Sequence, residues 1–249
     1  MTLWLSRVCA GENEPAARRA RKALGLLEQQ TGSGRWTDRR EQPEFIGPYK
    51  ILGPLGEGGM GVVYLAKQST PVEREVALKV IRLGMDSREV LARFEAERQA
   101  LAMMNHPAIA QVFDAGVTER GQPYFVMEVA EGIPLNEFCD LYKLSVKGRI
   151  QVFLQICMGV QHAHQKAVLH RDLKPANILV SLRNGQPVVK IIDFGLARAT
   201  DQHLLEHSVY TQQGRILGTP AYMSPEQARG RAAEIDTRTD IYSLGVILY

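Results

Sequence analysis

Between Tyr49 and Ala130 the chain alternates short apolar runs with turn residues. The segments "YKILGPLG", "GVVYLAKQ", "EVALKVIRL", "IAQVFDAGVT" and "PYFVMEVA" are rich in β-branched and aromatic residues, with turn formers between them. That pattern predicts strands. One helical stretch interrupts them, from about Ser87 to Met104. There Val90, Phe94, Glu97, Leu101 and Met104 recur at alternating spacings of four and three, an inward-facing stripe. Beyond about Leu135 the pattern turns helical. In "KGRIQVFLQICMGVQHAHQKA" apolar residues stand at 150, 153, 156, 157 and 160, a period near that of the α-helix. Two strand-like runs follow, "ANILV" and "VVKIIDFG". The pattern therefore predicts an α+β chain: a β-rich unit, then a mainly helical one, joined by "MEVAEGI".

Residues 1–45 read differently. "PAARRARKALGLLEQQ" fits one helix after Pro15, and "TGSGRWTDRREQPE" reads as linker without periodicity. This leader is expected to be partly helical or disordered. Its basic cluster, Arg18, Arg19, Arg21 and Lys22, reads more naturally as a solvated helix face than as a docking patch.

Composition excludes several classes. Of 249 residues, 45% are hydrophobic and 23% charged, an ordinary globular balance. A net charge of +3 is too slight an excess to argue for nucleic acid or an acidic membrane surface. Cys9, Cys139 and Cys157 are widely spaced and read as reduced thiols in a cytoplasmic setting. Arg7 interrupts the N-terminal segment too early for a signal peptide. No run approaches the roughly 18–20 apolar residues that span a bilayer, so no membrane anchor is visible in this chain.

Several pieces of the chain bear on chemistry. "GEGGMGVV", from Gly56, matches G-x-G-x-x-G-x-V. A strand rather than a helix follows Gly61, so the dinucleotide-fingerprint reading fails. A phosphate-covering loop and a plain tight hairpin both remain. Lys79 sits inside a predicted strand, where Ala77, Lys79 and Ile81 share one face and Val76, Leu78 and Val80 the other. Either it snorkels from an edge strand or its ammonium meets a buried partner. Glu97, in the apolar stripe, is a carboxylate placed to be that partner. His162 and His164 suggest a metal, but no carboxylate or cysteine completes a site, and packing is the better reading. Finally "HRDLKPANILV" concentrates His170, Arg171, Asp172, Lys174 and Asn177 beside an apolar strand. It is followed by "DFG" at 193–195 and "SPE" at 224–226.

In this order, the glycine loop, V-A-x-K, H-R-D-x-x-x-x-N, D-F-G and S-P-E resemble the protein-kinase catalytic domain. "LGEGGMGVVYLA", "HRDLKPANILV" and "GTPAYMSPEQ" look like bacterial serine/threonine kinases of the eukaryotic type. The resemblance implies a two-lobed fold at 46–249, with an N-lobe at 46–129, a C-lobe at 130–249, and ATP between them. It implies that Gly56, Gly58 and Gly61 cover the phosphates, and that Lys79 holds them and pairs with Glu97. Val63 and Ala77 above and Leu179 below would enclose the adenine, with Leu55 also a nucleotide-binding residue. Met127 would be the gatekeeper, a role compatible with plain core packing, and Glu128 and Val129 the hinge. Asn177 and Asp193 would carry Mg²⁺, Asp172 would orient the hydroxyl and accept its proton, and Lys174 would sit near the γ-phosphate. Serine and threonine hydroxyls of proteins are the implied substrates. Thr211 and then Ser208 are the candidates for autophosphorylation, and Thr219 resembles the threonine that favours Ser/Thr substrates.

Two departures stand out. Ser224 replaces the commoner alanine before Pro225 and Glu226. The final helix, "DTRTDIYSLGVILY", resembles the start of the apolar helix that organises the C-lobe, with Asp240 bracing the catalytic loop. The expectation is therefore an incomplete C-lobe, in which Glu226 lacks its arginine and Leu244, Val246, Ile247, Leu248 and Tyr249 form an uncovered apolar end. A membrane attachment beyond residue 249 is compatible with this. The competing reading is a truncated, catalytically silent nucleotide-binding or docking module.

Overall fold

Six antiparallel strands make up the N-terminal sheet of the computed structural model, which describes residues 43–58, 61–81, 101, 103–194 and 220–249. They are β1 (Phe45–Ile46), β2 (Tyr49–Gly58), β3 (Gly61–Gln68), β4 (Arg74–Ile81), β5 (Val112–Val117) and β6 (Pro123–Met127), in the order β1-β2-β3-β4-β6-β5. The expected leader lies almost wholly outside the described residues, as do Glu97 with most of its helix, Gly195, Ser208, Thr211 and Thr219.

The period-two pattern of β4 sorts its side chains as the sequence predicts. Val76 and Leu78 join Ile46, Tyr49, Ala66, Tyr124 and Val126 in a small core on one face. Ala77 and Ile81 face the larger core. Lys79 lies in that second row, level with Val63 on β3 and Phe125 on β6. Because β4 is flanked on both sides, the edge-strand reading of Lys79 fails, and its 5% exposure demands a partner.

The second unit begins with β7 (Ile133–Pro134) and two helices, α1 (Leu135–Leu141) and α2 (Val146–Gln165). Ser145 caps α2, its hydroxyl accepting from the Gly148 amide at 3.2 Å. The buried face of α2 is Val152, Ile156, Gly159, Val160 and Ala163. The predicted stripe was partly misphased, for Ile150 is 46% exposed, and Phe153 and Cys157 only pack at the margin. Small residues explain the error. A Cβ on Gly159 would stand 3.0 Å from Ile191 Cδ1, so a close helix–sheet contact is made where there is no side chain to score. Strands β8 (Ile178–Arg183) and β9 (Gln186–Ile191) complete a three-stranded sheet, β7-β8-β9.

The two units share one core. The larger cluster runs from Ala77, Phe125 and Met127 through Ile109 to Ile156, Val189, Ile191 and Leu244. Each such side chain, fully buried, contributes about 1.5–3 kcal/mol. Backbone bonds stitch the seam: Ala110 N–H to Ile191 O at 2.9 Å and Ile191 N–H to Ala108 O at 2.8 Å. The chain then passes through α3 (Pro225–Ala228) to α4 (Thr237–Leu248). Asp236 caps α4 through the Arg238 amide at 2.8 Å. Of the expected apolar end, Leu244 is buried, Val246 and Ile247 are half-buried, and Leu248 and Tyr249 are exposed. No described helix is long and apolar enough to cross a membrane.

Candidate active site

A cavity of about 300 Å³ opens where the two sheets meet. Leu55, Gly56, Val63 and Ala77 roof it, Met127, Glu128, Val129 and Ala130 close its back, and Ala176, Leu179, Ile192 and Asp193 are among the residues below. The roof depends on the β2–β3 hairpin, in which Gly58 pairs with Gly61 and Gly56 with Val63. Gly61 has φ +151°, and a Cβ there would lie about 2.0 Å from Val80 O, so β3 can approach β4 this closely only with glycine.

Lys79 finds its partner across the cleft. Its Nζ lies 2.7 Å from Asp193 Oδ2, with side-chain exposures of 6% and 25%. Asp193 follows β9 with φ +65°, a left-handed turn that carries its carboxylate into the cleft. The expected Glu97 pairing falls outside the described residues.

Asp172 receives both Lys174 and Asn177. Lys174 Nζ stands 2.7 and 3.1 Å from the two carboxylate oxygens. Asn177 Nδ2 donates to the Asp172 carbonyl at 2.7 Å and to its Oδ2 at 3.1 Å. A carbonyl only accepts, so the Asn177 amide has its nitrogen toward Asp172 and its oxygen turned away. An amide oxygen and a carboxylate are both donor types that suit a hard divalent cation. Among the described residues no three His, Cys, Asp or Glu side chains are grouped so that they could hold a metal.

The loop that carries Asp172 is braced from the C-terminal helices. Asp240, fully buried on α4, accepts from the His170 amide at 2.9 Å, the Arg171 amide at 2.8 Å and His164 Nε2 at 2.8 Å. Burial pushes its carboxyl up, but the His164 bond, the nearby His170 and the two amides outweigh that, and it ends below its ordinary value. His170 Nε2 donates to Ile192 O at 3.0 Å, and its Nδ1 lies 3.3 Å from the Asp172 amide. Glu226 accepts a hydrogen bond from Thr239 Oγ1 at 2.5 Å, the main cause of its lowered carboxyl pKa. Thr239 thus serves Glu226 where the sequence suggested no partner.

The cavity is lined by most of the expected nucleotide-contacting residues, namely Leu55, Gly56, Val63, Ala77, Met127, Glu128, Val129 and Leu179, while Gly58, Gly61 and Lys79 are not among its lining residues. One refinement concerns Glu128. Its amide donates to Gln111 O at 2.8 Å, and its carboxylate meets Lys190 Nζ at 2.8 Å, so neither the amide nor the side chain is open to a base. Sequence reasoning missed Ala130, Gly132, Pro134, Ala176 and Ile192 in the lining, because small and apolar residues carry no chemical signal. It also missed the role of His164 as a donor to Asp240. His162, two residues earlier, leaves a buried Nε2 unpaired and stacks on His106 at 5.2 Å.

A curled sheet hinged to a helical unit, with this cleft between them, defines a kinase-like two-lobed fold. Residues 49–249 match the family described as "Protein kinase domain", and the chain belongs to that family. It is 40% identical over 205 residues to serine/threonine-protein kinase Pkn1 of Myxococcus xanthus, covering 82% of this chain and 28% of that protein. It is 41% identical over 207 residues to serine/threonine-protein kinase PknB of Mycobacterium tuberculosis, covering 81% of this chain and 32% of the relative. The chain thus spans about a third of the length of these relatives. The crystal structure of the Mycobacterium tuberculosis PknI kinase domain superposes with a TM-score of 0.62 at 28% identity, covering 82% of this chain and 73% of that one. Members of the family generally use ATP and Mg²⁺.

Proposed function

We propose that this chain is the catalytic part of an ATP-dependent protein serine/threonine kinase. The observation that carries the reading is the pairing of Asp172 with Lys174 and Asn177 on a loop whose continuation, Ala176 and Leu179, lines the same cleft as Asp193, the partner of Lys79. Phosphoryl transfer asks little covalent chemistry of a protein and much positioning and charge stabilisation, and these groups supply both. Residues 46–129 act as the N-lobe and 130–249 as C-lobe residues, with 1–45 a leader.

In this reading the apolar walls, Leu55, Val63, Ala77 and Leu179, hold the adenine, with Met127 behind it. The Glu128 carbonyl and the Val129 backbone read its edge. Gly56, Gly58 and Gly61 lie over the phosphates, and Lys79 neutralises them, with Glu97 as its second partner. Asn177 and Asp193 hold Mg²⁺, which when bound neutralises phosphate charge. Asp172 orients the substrate hydroxyl and takes its proton, and Lys174 offsets charge on the group in transfer. The substrates are serine and threonine hydroxyls of proteins, with Thr211 and Ser208 as sites of autophosphorylation, in the cytoplasm.

The test is transfer of labelled phosphate from Mg·ATP to a general acceptor protein, followed by phosphoamino-acid analysis. Label on serine and threonine, lost in Asp172→Asn while nucleotide binding persists, is expected. Substantial phosphotyrosine, undiminished transfer by the variant, or nucleotide binding without any transfer by the natural chain would overturn the reading, the last in favour of a silent binding module.

A further inference from the structure

One buried polar side chain is left unused by this mechanism. Gln227, on α3, is 8% exposed. Its Oε1 accepts from the Ser224 amide at 3.1 Å and the Ser224 hydroxyl at 3.3 Å. Its Nε2 donates to the carbonyl of Arg171 at 2.6 Å, across 56 residues of sequence. An amide N–H only donates and a carbonyl only accepts, so Gln227 has one orientation that satisfies both neighbours. Ser224, with no exposed surface, closes the motif by accepting from the Gln227 amide at 3.4 Å.

The recipient matters because Arg171 immediately precedes Asp172 and is held at φ +66°. A non-glycine residue persists there only when its surroundings over-determine it. Two side chains do so. Asp240 takes the Arg171 amide at 2.8 Å, and Gln227 takes the Arg171 carbonyl. That carbonyl belongs to the peptide plane from which Asp172 hangs. Lys174 and Asn177 orient the Asp172 carboxylate, but both ride on the same loop and cannot fix the loop itself.

We infer that Gln227, oriented by Ser224, is a positioning residue for phosphoryl transfer, setting the peptide plane before Asp172 and tying the 224–228 segment to the catalytic loop. The inference rests on the kinase reading of Asp172. It also explains the serine before Pro225. The Ser224 hydroxyl points the Gln227 amide, so this serine and the glutamine after Glu226 work as a pair.

The experiment compares Gln227→Leu and Gln227→Glu with the natural chain. Gln227→Leu removes the donor and should lower kcat roughly 10- to 100-fold with the KM for ATP little changed, the scale expected of a small misplacement of a reacting group. Hydrogen exchange over 170–174 should quicken while β3 and β4 keep their protection. Gln227→Glu supplies the sharper readout. Ionised, the introduced carboxylate faces the Arg171 carbonyl with no proton to donate. Protonated, it regains a donor of the original shape. Burial beside a carbonyl favours the protonated form, so the variant's kcat relative to the natural chain should rise as pH falls from 8.5 toward about 5.5. His170, Arg171, Asp172, Glu226 and Asp240 surround the site in both proteins, so the ratio cancels their own titration.

A Gln227→Leu chain with natural kcat and natural exchange overturns the inference, and so does a flat pH ratio for Gln227→Glu. If Gln227→Leu fails to fold, the Gln227→Glu ratio decides. Absence of all transfer by the natural chain would sink the kinase reading instead. The exchange comparison would then still show whether Gln227 holds the loop.

Discussion

Replacing Asp240 by asparagine changes one atom's chemistry at a fully buried side chain that accepts three hydrogen bonds. Oδ1 accepts from the Arg171 amide, and Oδ2 from the His170 amide and His164 Nε2. An asparagine has one oxygen, so whichever way it turns, a backbone N–H faces an NH₂ group. Leaving a buried donor unpaired costs about 1–3 kcal/mol. The surviving bonds lose their charge assistance, which is about half their strength. Relief from burying a carboxylate offsets part of this, leaving a net loss of about 2–4 kcal/mol. Against a total stability of about 5–15 kcal/mol, that is a large share. At about 2–4 °C per kcal/mol for a chain of this size, Tm should fall by about 4–16 °C. Calorimetry at pH 7 measures it. The pH dependence gives an independent check. The Asp240 carboxyl lies below its ordinary value in the folded state. Its contribution is therefore complete above the unfolded value, near 3.8, and is lost as pH falls through the lower folded value. The Tm gap between natural chain and variant should narrow below about pH 4. A gap under about 2 °C at pH 7, or one that stays constant down to about pH 3, would refute the reasoning.

Lys79→Met should abolish most phosphoryl transfer, by about 100-fold or more, yet shift stability by less than about 1 kcal/mol, because Asp193 is accessible enough to hydrate alone; paired melts and kinase assays separate the two effects. Gly132→Ala should destabilise the chain by about 1–3 kcal/mol and weaken nucleotide binding, since Gly132 has φ +127° and its Cβ would stand 2.5 Å from Val180 O at the cavity wall; denaturant unfolding and nucleotide titration check it. Lys190→Met removes the partner of Glu128, and should speed hydrogen exchange at 127–130 and cost about 1 kcal/mol, the scale of a partly exposed pair; unchanged exchange there would show that the hinge is held by Gln111 alone.

Legibility in the sequence followed the range of the interactions. Strand alternation in β4 was readable because a period of two separates Ala77 and Ile81 from Val76 and Leu78 within eight residues. The placement of Lys79 at the centre of the sheet was not, because sheet order is set by pairing between β4 and β6, with the 82–122 stretch between them. On α2 the hydrophobic period gave the helix but not its face, since Gly159 and Ala163 make the contact that larger residues would have signalled. At the site, residues with charge or glycine in a motif could be named. Apolar lining such as Ala176 and Ile192 could not. His164 was read as packing because its partner, Asp240, lies 76 residues away.

That distance bears on why the catalytic loop is so polar. From His170 to Lys174 the backbone belongs to no helix or strand. Its amides and carbonyls have no ladder to join, and leaving them buried and unpaired would be costly. The loop answers part of the need internally, with His170 Nδ1 taking the Asp172 amide and Asn177 Nδ2 taking the Asp172 carbonyl. The remainder is met from outside, by Asp240 on α4 and Gln227 on α3. A self-contained turn would be free to adopt several shapes of similar energy. A turn whose amides and carbonyl are claimed by two separate helices has one. The strained φ of Arg171 meets the same demand, since in that conformation its amide reaches Asp240 and its carbonyl reaches Gln227 together. Rigidity in this loop therefore comes from α3 and α4, and any change that separates either helix from it should reach the Asp172 carboxylate before it reaches the cleft between the sheets.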